Sequence, residues 1–119
     1  FNFIADMASA YAAADVVLSR AGLSTLTELA NLGKVSIIIP MPETHQEYNA
    51  ALLDEFRAAL VFEQKDVSAK GLVAVIRKLL FNLPLQKRLS GNISKIMPKN
   101  SAAKIAKIIL DVIGENAKN

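Results

Sequence analysis

The sequence predicts an α/β fold whose parallel sheet is only part of a doubly wound domain. Short β-branched runs alternate with helical patterns over residues 1–66, and glycine or proline follows the two clearest runs. Alternation of this kind is typical of right-handed βαβ units. Three strands are predicted, whereas a complete doubly wound sheet has about five or six. We therefore expect the second half of a Rossmann-like nucleotide-binding domain, followed by C-terminal helices.

The predicted strands and their connecting helices lie in residues 1–66. An alanine-rich segment with helical apolar spacing predicts the first helix, and Gly33 and Pro40 mark ends of later elements. The predicted elements, in order, are a helix over 4–13, a strand over 15–19, a helix over 24–32, a strand over 35–39, a helix over 45–57 and a weaker strand over 59–62.

Residues 67–119 form a second segment with a helical pattern throughout. Helices are predicted over 68–80, over 84–97 and from Ser101 onward, with Pro98 separating the last two. Ser101 is a candidate N-cap. The last helix carries an apolar stripe of Ile105, Ile108, Ile109 and Val112. We expect these C-terminal helices to pack on the same domain.

Composition excludes several classes of function. The chain has 119 residues, of which 52% are hydrophobic and 21% charged, as expected for one folded domain. It has no cysteine, which excludes disulfides, thiolate metal sites and cysteine nucleophiles, and its single histidine, His45, cannot form a multi-histidine metal site. No apolar stretch is long enough to span a bilayer, and no signal peptide is visible, so a cytoplasmic location is the default. Because the chain starts at Phe1 without methionine, we expect a fragment.

Charge is unevenly distributed along the chain. Residues 1–66 contain nine acidic and four basic side chains, whereas residues 67–110 contain nine basic and none acidic. Such a block can attract phosphate, including anionic lipid headgroups, although a solvated outer face of the helices is the favoured interpretation. No aromatic residue follows Phe81, so a base-stacking surface is missing and nucleic-acid binding is disfavoured.

The first candidate binding segment follows the first predicted strand. Residues 19–29 form a strand end, a turn with Gly22 and a helix start, a geometry that presents backbone N–H groups to anions. Gly22 permits a positive φ or close approach of a ligand. Hydroxyls of Ser24 and Thr25 could donate to phosphate, and Glu28 could accept from ribose. The alternative is that Thr25 and Glu28 form a capping box, which spacing alone favours.

The second candidate segment, residues 40–51, follows the clearest strand and meets the same edge of the sheet. His45, Gln46 and Asn49 lie in the first turn of the following helix. Neutral amides pair well with sugar hydroxyls because each offers a donor and an acceptor. The alternative, that Thr44 caps the helix and the others are surface polar residues, is equally supported. A lone histidine without a neighbouring nucleophile is no catalytic constellation.

Together these segments carry a specific resemblance. The run S-R-A-G-x-x-T-x-x-E-L-A over 19–30, I-P-x-P over 39–42 and H-Q-x-x-N-A over 45–50 is similar to the C-terminal half of the MurG family, with a glycosyltransferase family 28 C-terminal domain. Members of this family transfer N-acetylglucosamine (GlcNAc) from UDP-GlcNAc to lipid I, making lipid II for peptidoglycan. The resemblance is specific over residues 3–63.

The resemblance implies a GT-B fold in which this half binds UDP-GlcNAc without metal or cofactor. It places Arg20 and Gly22 in the donor-binding run. The backbone of Leu23, Ser24 and Thr25 would face the uridine and pyrophosphate, with the Thr25 hydroxyl on phosphate. Glu28 would bind the ribose hydroxyls. Gln46, with Asn49 and His45, would hold GlcNAc.

The resemblance also implies a partner and a location. The lipid-linked acceptor would bind through an N-terminal domain absent from this chain, and the enzyme would be peripheral on the cytoplasmic face of the bacterial membrane. Without that domain we expect the fragment to be inactive. Two alternatives stay open: a related lipid glycosyltransferase with another acceptor, and a non-catalytic donor-binding subunit of a two-chain enzyme.

Overall fold

A computed structural model of the chain describes residues 3–116 and has an α/β fold. Its elements are α1 (Met7–Ala13), β1 (Val17–Ser19), α2 (Leu23–Leu32), β2 (Ser36–Ile38), α3 (Gln46–Glu55), β3 (Leu60–Val61), a 3₁₀ turn (Gln64–Asp66), α4 (Ala69–Leu80), α5 (Leu83–Ile93) and α6 (Ser101–Asn116). Every predicted element is present, and each strand is shorter than its apolar run. The predicted segments 1–66 and 67–119 also include residues 1, 2 and 117–119, which lie outside the described residues.

The three strands form one parallel sheet in the order β1-β2-β3. Val17 is paired with Ser36 across the first ladder, and Ile37 is paired with Leu60 across the second. The expected partial parallel sheet is confirmed. Because all three strands run in the same direction, their carboxyl ends lie at one edge of the sheet.

Two adjacent residues of β2 anchor the two sides of the core. Ile38 is buried in a cluster that includes Leu29 of α2 and Leu53 of α3. Ile37 is buried in a second cluster with Leu79 of α4 and Leu89 of α5. Successive side chains of a strand point to opposite faces, so this strand is covered on both sides, as in other parallel sheets.

The C-terminal end of α2 is closed by contacts with α5. Gly33 follows α2 in the left-handed conformation with φ of 62°, as its predicted role at the end of this helix requires. The Ser90 hydroxyl of α5 donates to the Gly33 carbonyl oxygen at 2.7 Å. This contact fixes α5 beside the end of α2 that lies away from the candidate binding segments.

The last helix departs from the expected packing. The predicted stripe of α6 is more than half exposed at each position: Ile105 57%, Ile108 62%, Ile109 52% and Val112 52%. The Ser101 hydroxyl donates to the Pro98 carbonyl at 3.0 Å instead of accepting from the helix. Thus α4 and α5 cover the sheet, whereas the stripe on α6 is uncovered within the described residues. Among the helices of that part of the chain, none combines the length and apolar character needed to cross a bilayer.

Candidate functional site

The two candidate binding segments lie side by side at the carboxyl edge of the sheet. Ser19 ends β1, and its carbonyl accepts from the N–H of Ile39, which directly follows β2, at 3.0 Å. The chain then turns into α2 on one side and toward α3 on the other. The structure therefore brings together the two segments that the sequence predicted at one edge.

Two amides of α3 join these segments to each other. The Gln46 carbonyl Oε1 accepts from the backbone N–H groups of Ala21 and Met41, each at 3.1 Å. The Asn49 amide Nδ2 donates to the Ala21 carbonyl at 2.8 Å. Ala21 is fully buried, so both of its backbone polar groups are satisfied by one turn of α3. These contacts hold the turn before α2 in a fixed position.

This bridging restricts what each amide can offer to a ligand. Two N–H groups use both lone pairs of Gln46 Oε1, which leaves the amide nitrogen as the group able to meet a ligand. At Asn49 one of the two amide N–H groups is engaged, which leaves the second N–H and the carbonyl oxygen. Both side chains are half-buried. The pair can therefore present both donors and an acceptor, the combination that sugar hydroxyls use.

Arg20 forms a further bridge between the segments. Its Nη1 donates to the carbonyl oxygens of Ile39 at 3.2 Å and Pro40 at 3.1 Å. The side chain is exposed, and Nε and Nη2 carry further N–H groups. Arg20 lines a cleft of about 380 Å³ with Leu18, Ser19, Ile39, Gln64 and Val67, a size within the range of small-molecule sites.

The N-terminus of α2 is open. The helix begins at Leu23, one residue before the predicted start, and no side chain caps it. The first backbone hydrogen bond of the helix is donated by the Leu26 N–H to the Gly22 carbonyl oxygen at 3.0 Å. The N–H groups of Leu23, Ser24 and Thr25 precede it and have no acceptor within an α-helix. The positive end of the helix dipole and these donors favour an anion.

The backbone conformation of Gly22 does not explain why this residue is glycine. Its φ is −68° and its ψ is 141°, values that any residue adopts, so the positive-φ interpretation is wrong. A Cβ placed on it would have Thr25 Oγ1, at 3.9 Å, as its nearest neighbour. The protein itself leaves room for a side chain, so close approach of a ligand is the remaining interpretation.

Glu28 lies on the exposed surface of α2, one turn beyond Thr25, and contacts α1. Its Oε2 accepts from the Tyr11 hydroxyl at 2.9 Å. The capping-box interpretation is wrong, because Gly22 and not Thr25 precedes the helix. Tyr11 is 6% exposed. Burial, followed by the neighbouring Glu28 carboxylate, raises the pKa of Tyr11 above its usual range, so the hydroxyl stays a donor at neutral pH.

Tyr11 is a residue that sequence reasoning missed. A signal was present: a tyrosine in an alanine-rich helix buries its ring and needs a partner for its hydroxyl. The identity of that partner, 17 positions along the chain, could not be read from the spacing.

His45 and Thr44 lie at the start of α3. Thr44 Oγ1 accepts from the Gln46 N–H at 3.2 Å and donates to the Met41 carbonyl at 2.7 Å. The predicted N-cap is wrong by one residue, because His45 and not Thr44 directly precedes the helix. His45 is exposed, and its ring centroid lies 6.5 Å from that of Tyr48. The contact of Thr44 with the Gln46 N–H and ligand binding by the Gln46 side chain are compatible, since they use different atoms.

Chemically, this arrangement can bind an anion and several hydroxyl groups. The open start of α2 and Arg20 provide positive potential, Glu28 accepts hydrogen bonds, and Gln46 with Asn49 provides a donor and an acceptor. Within residues 3–116, histidine and acidic side chains form no group of three that could hold a metal ion. The geometry therefore fits a phosphorylated sugar.

Comparison with known proteins identifies the family of this chain. The family model described as "Glycosyltransferase family 28 C-terminal domain" matches residues 1–108. A relative from Thermoanaerobacter sp. (strain X514) is 39% identical over 110 residues, which cover 90% of this chain and 30% of the relative. It is named UDP-N-acetylglucosamine--N-acetylmuramyl-(pentapeptide) pyrophosphoryl-undecaprenol N-acetylglucosamine transferase.

Two further similarities have the same character. A relative of the same name from Rickettsia akari (strain Hartford) is 43% identical over 97 residues, covering 79% of this chain and 25% of the relative. The crystal structure of Acinetobacter baumannii MurG aligns with a TM-score of 0.77 and 30% identity, covering 92% of this chain and 32% of that one. The chain therefore spans less than a third of the length of these proteins.

Proposed function

Because this chain belongs to the glycosyltransferase family 28 C-terminal domain family, we propose that it is the donor-binding part of an inverting GlcNAc transferase. The donor is UDP-GlcNAc, and the acceptor is the undecaprenyl-pyrophosphoryl-linked muramyl pentapeptide in the name of its relatives. The observation that carries the proposal is the pair of strand-to-helix segments joined through Ala21, Gln46 and Asn49 beside the open start of α2.

The pyrophosphate, the ribose and the GlcNAc of the donor each have a matching group in the site. The pyrophosphate binds at the N–H groups of Leu23, Ser24 and Thr25, where α2 is uncapped. Glu28 accepts from the ribose hydroxyls. The Gln46 nitrogen and the Asn49 carbonyl bind hydroxyls of GlcNAc, since their other amide atoms hold the backbone.

Arg20 and His45 complete the assignment. Arg20 lines the cleft and its side chain is exposed, so its charge raises the positive potential felt by the pyrophosphate. His45 precedes Gln46 and is exposed at the start of α3. It forms the outer margin of the sugar site.

In the proposed reaction, a hydroxyl of the acceptor attacks the anomeric carbon of GlcNAc as the bond to UDP breaks. Negative charge grows on the departing diphosphate, and the start of α2 with Arg20 stabilises it. The attacking hydroxyl loses its proton to a base. The base and the acceptor site belong to the part of the enzyme that the relatives have in addition to this chain.

A calorimetric titration with a matched pair of ligands tests this assignment. Gln46→Glu keeps a carbonyl-like oxygen for Ala21 and Met41 but removes the nitrogen donor. We expect the affinity of the 119-residue chain for UDP-GlcNAc to fall about tenfold more than its affinity for UDP, a difference of about 1.4 kcal/mol, because the added negative charge acts on the diphosphate of both ligands.

The outcomes of this titration separate clearly. A folded wild-type chain that binds neither ligand contradicts the proposed function. An equal loss for UDP and UDP-GlcNAc in Gln46→Glu contradicts the sugar assignment, because it indicates damage to the loops. Glu28→Ala is the complementary variant and should weaken both ligands, since both contain the ribose.

We also propose that the enzyme is cytoplasmic and peripheral to an anionic membrane. The support is that all nine basic side chains of residues 67–110 are exposed, and each cation near an anionic surface contributes about 1 kcal/mol to binding. Sedimentation with vesicles measures this. The chain should sediment with phosphatidylglycerol-containing vesicles at low salt, and equal sedimentation with neutral vesicles contradicts the proposal.

A further inference from the structure

The contact between Tyr11 and Glu28 joins a buried residue to an exposed one. Tyr11 is the buried residue of α1, and its ring belongs to the core cluster that contains Leu29 and Ala30 of α2. Its hydroxyl donates to Glu28 Oε2 at 2.9 Å. Glu28 itself is exposed on α2. A rigidly packed side chain therefore holds a carboxylate that otherwise extends into solvent.

We propose that Tyr11 is a positioning residue for nucleotide binding: it fixes the Glu28 carboxylate in the orientation that accepts from a ribose diol. This inference rests on the proposed function and extends it to a residue that does not touch the donor. With Oε2 accepting from Tyr11, Oε1 and the second lone pair of Oε2 remain as acceptors for a ligand. A vicinal diol needs two such acceptor positions close together.

The physical reason is the loss of side-chain freedom. A glutamate on a helix surface samples several rotamers, and binding that selects one of them costs conformational entropy. A hydrogen bond from a buried tyrosine selects the rotamer before the ligand arrives, so less entropy is lost on binding. Burial also keeps the donor in place, because the Tyr11 ring is packed and 6% exposed.

The start of α1 supports the same arrangement. Asp6 precedes α1, and its carboxylate accepts from the Ser9 N–H at 3.1 Å. The cap fixes the first turn of a seven-residue helix, which is too short to be stable alone. Tyr11 then anchors the helix to α2 by its ring. If anchoring α1 were the only role of Tyr11, removal of its hydroxyl would change the stability of the protein but not its preference among ligands.

Tyr11→Phe separates the two roles because it keeps the ring and removes the donor. The probes are UDP and 2′,3′-dideoxy-UDP, titrated calorimetrically against the 119-residue chain. We expect Tyr11→Phe to lower the affinity for UDP about three- to tenfold and to leave the affinity for the dideoxy nucleotide unchanged. Tyr48→Phe is the matched control: Tyr48 is 78% exposed, and its hydroxyl should affect neither ligand.

A second variant keeps the inference testable if removal of the hydroxyl loosens α1. In a Glu28→Ala background, adding Tyr11→Phe should cause no further loss of UDP affinity, because the carboxylate through which it acts is gone. Additive losses, an unchanged UDP affinity in Tyr11→Phe, or equal losses for both nucleotides overturn the positioning role. Failure of the wild-type chain to bind UDP overturns the proposed function and this inference together, whereas the other results overturn the inference alone.

Discussion

The two ends of α2 are built alike but serve different purposes. Each is flanked by a glycine, Gly22 before the helix and Gly33 after it. At each end a side chain from a later helix donates to a backbone carbonyl: Asn49 to Ala21 and Ser90 to Gly33. The difference lies in what surrounds the glycines. A Cβ on Gly33 would stand 2.7 Å from Ser94 Oγ, whereas one on Gly22 would have its nearest neighbour at 3.9 Å.

This difference separates a glycine that the fold requires from one that it does not. Gly33 has a φ of 62° and no space for a side chain, so its role follows from the protein alone. Gly22 has an ordinary extended backbone and free space. The described fold gives no reason for glycine at this position, and the uncapped helix beside it favours an anion.

The largest expected effect is that of Gly33→Ala on stability. An alanine at position 33 would have to adopt the left-handed conformation, and its Cβ would be forced against Ser94. Together these two effects should lower the free energy of unfolding by about 2–4 kcal/mol. Urea unfolding followed by circular dichroism measures it. Gly91→Ala, in the last turn of α5 with no atom near its Cβ, is the control and should raise the free energy of unfolding by up to about 1 kcal/mol. If Gly33→Ala and Gly91→Ala had equal free energies of unfolding, the conclusion that the fold requires glycine at position 33 would be wrong.

Gly22→Ala should show the reverse pattern. The free energy of unfolding should be unchanged or rise by up to about 1 kcal/mol, because alanine adopts this backbone and narrows the unfolded ensemble. The added methyl group occupies the space beside the open start of α2, so affinity for UDP should fall tenfold or more, about 1.4 kcal/mol. Urea unfolding measures the stability of Gly22→Ala, and calorimetric titration of the same protein preparation measures its affinity for UDP. Full UDP affinity in Gly22→Ala would place the pyrophosphate elsewhere.

The smallest expected effects come from the two side chains that hold the backbone. Ser90→Ala and Asn49→Ala each remove one hydrogen bond to a backbone carbonyl, so each should lower the free energy of unfolding by about 1 kcal/mol. Only Asn49→Ala should also weaken UDP-GlcNAc, by about three- to tenfold, since Ser90 lies at the end of α2 away from the site. Loss of ligand affinity in Ser90→Ala would mean that the two ends of the helix are coupled.

Local patterns were enough to predict the elements but not the partners of their side chains. Gly33 was predicted to end α2 because glycine alone adopts the left-handed conformation at low cost. By contrast, Thr25 and Glu28 have capping-box spacing, yet the helix starts at Leu23 and Glu28 contacts Tyr11. The same spacing allows Glu28 either to close a capping box or to contact Tyr11 of another helix. Only the packing of α1 on α2 selects between these two outcomes.

The same limit applies to α6 and to Gln46. The apolar stripe of α6 predicts a buried face, but whether a face is buried depends on what lies opposite, which helical periodicity does not specify. Gln46 was predicted from its position after a strand. Its use as a double acceptor for Ala21 and Met41 required two loops distant in sequence to meet.

The sequence by itself determined the alternation of strands and helices, the parallel direction of the sheet and the common edge at which Gly22 and Gln46 lie. These follow from periodicity, turn residues and the handedness of βαβ units, all of which act over short stretches of chain. Only the tertiary structure decided that Gln46 and Asn49 lock Ala21, that Tyr11 holds Glu28, and that the stripe of α6 stays exposed. Hydrogen bonds and burial depend on distances between residues far apart in sequence, and those distances are set by packing.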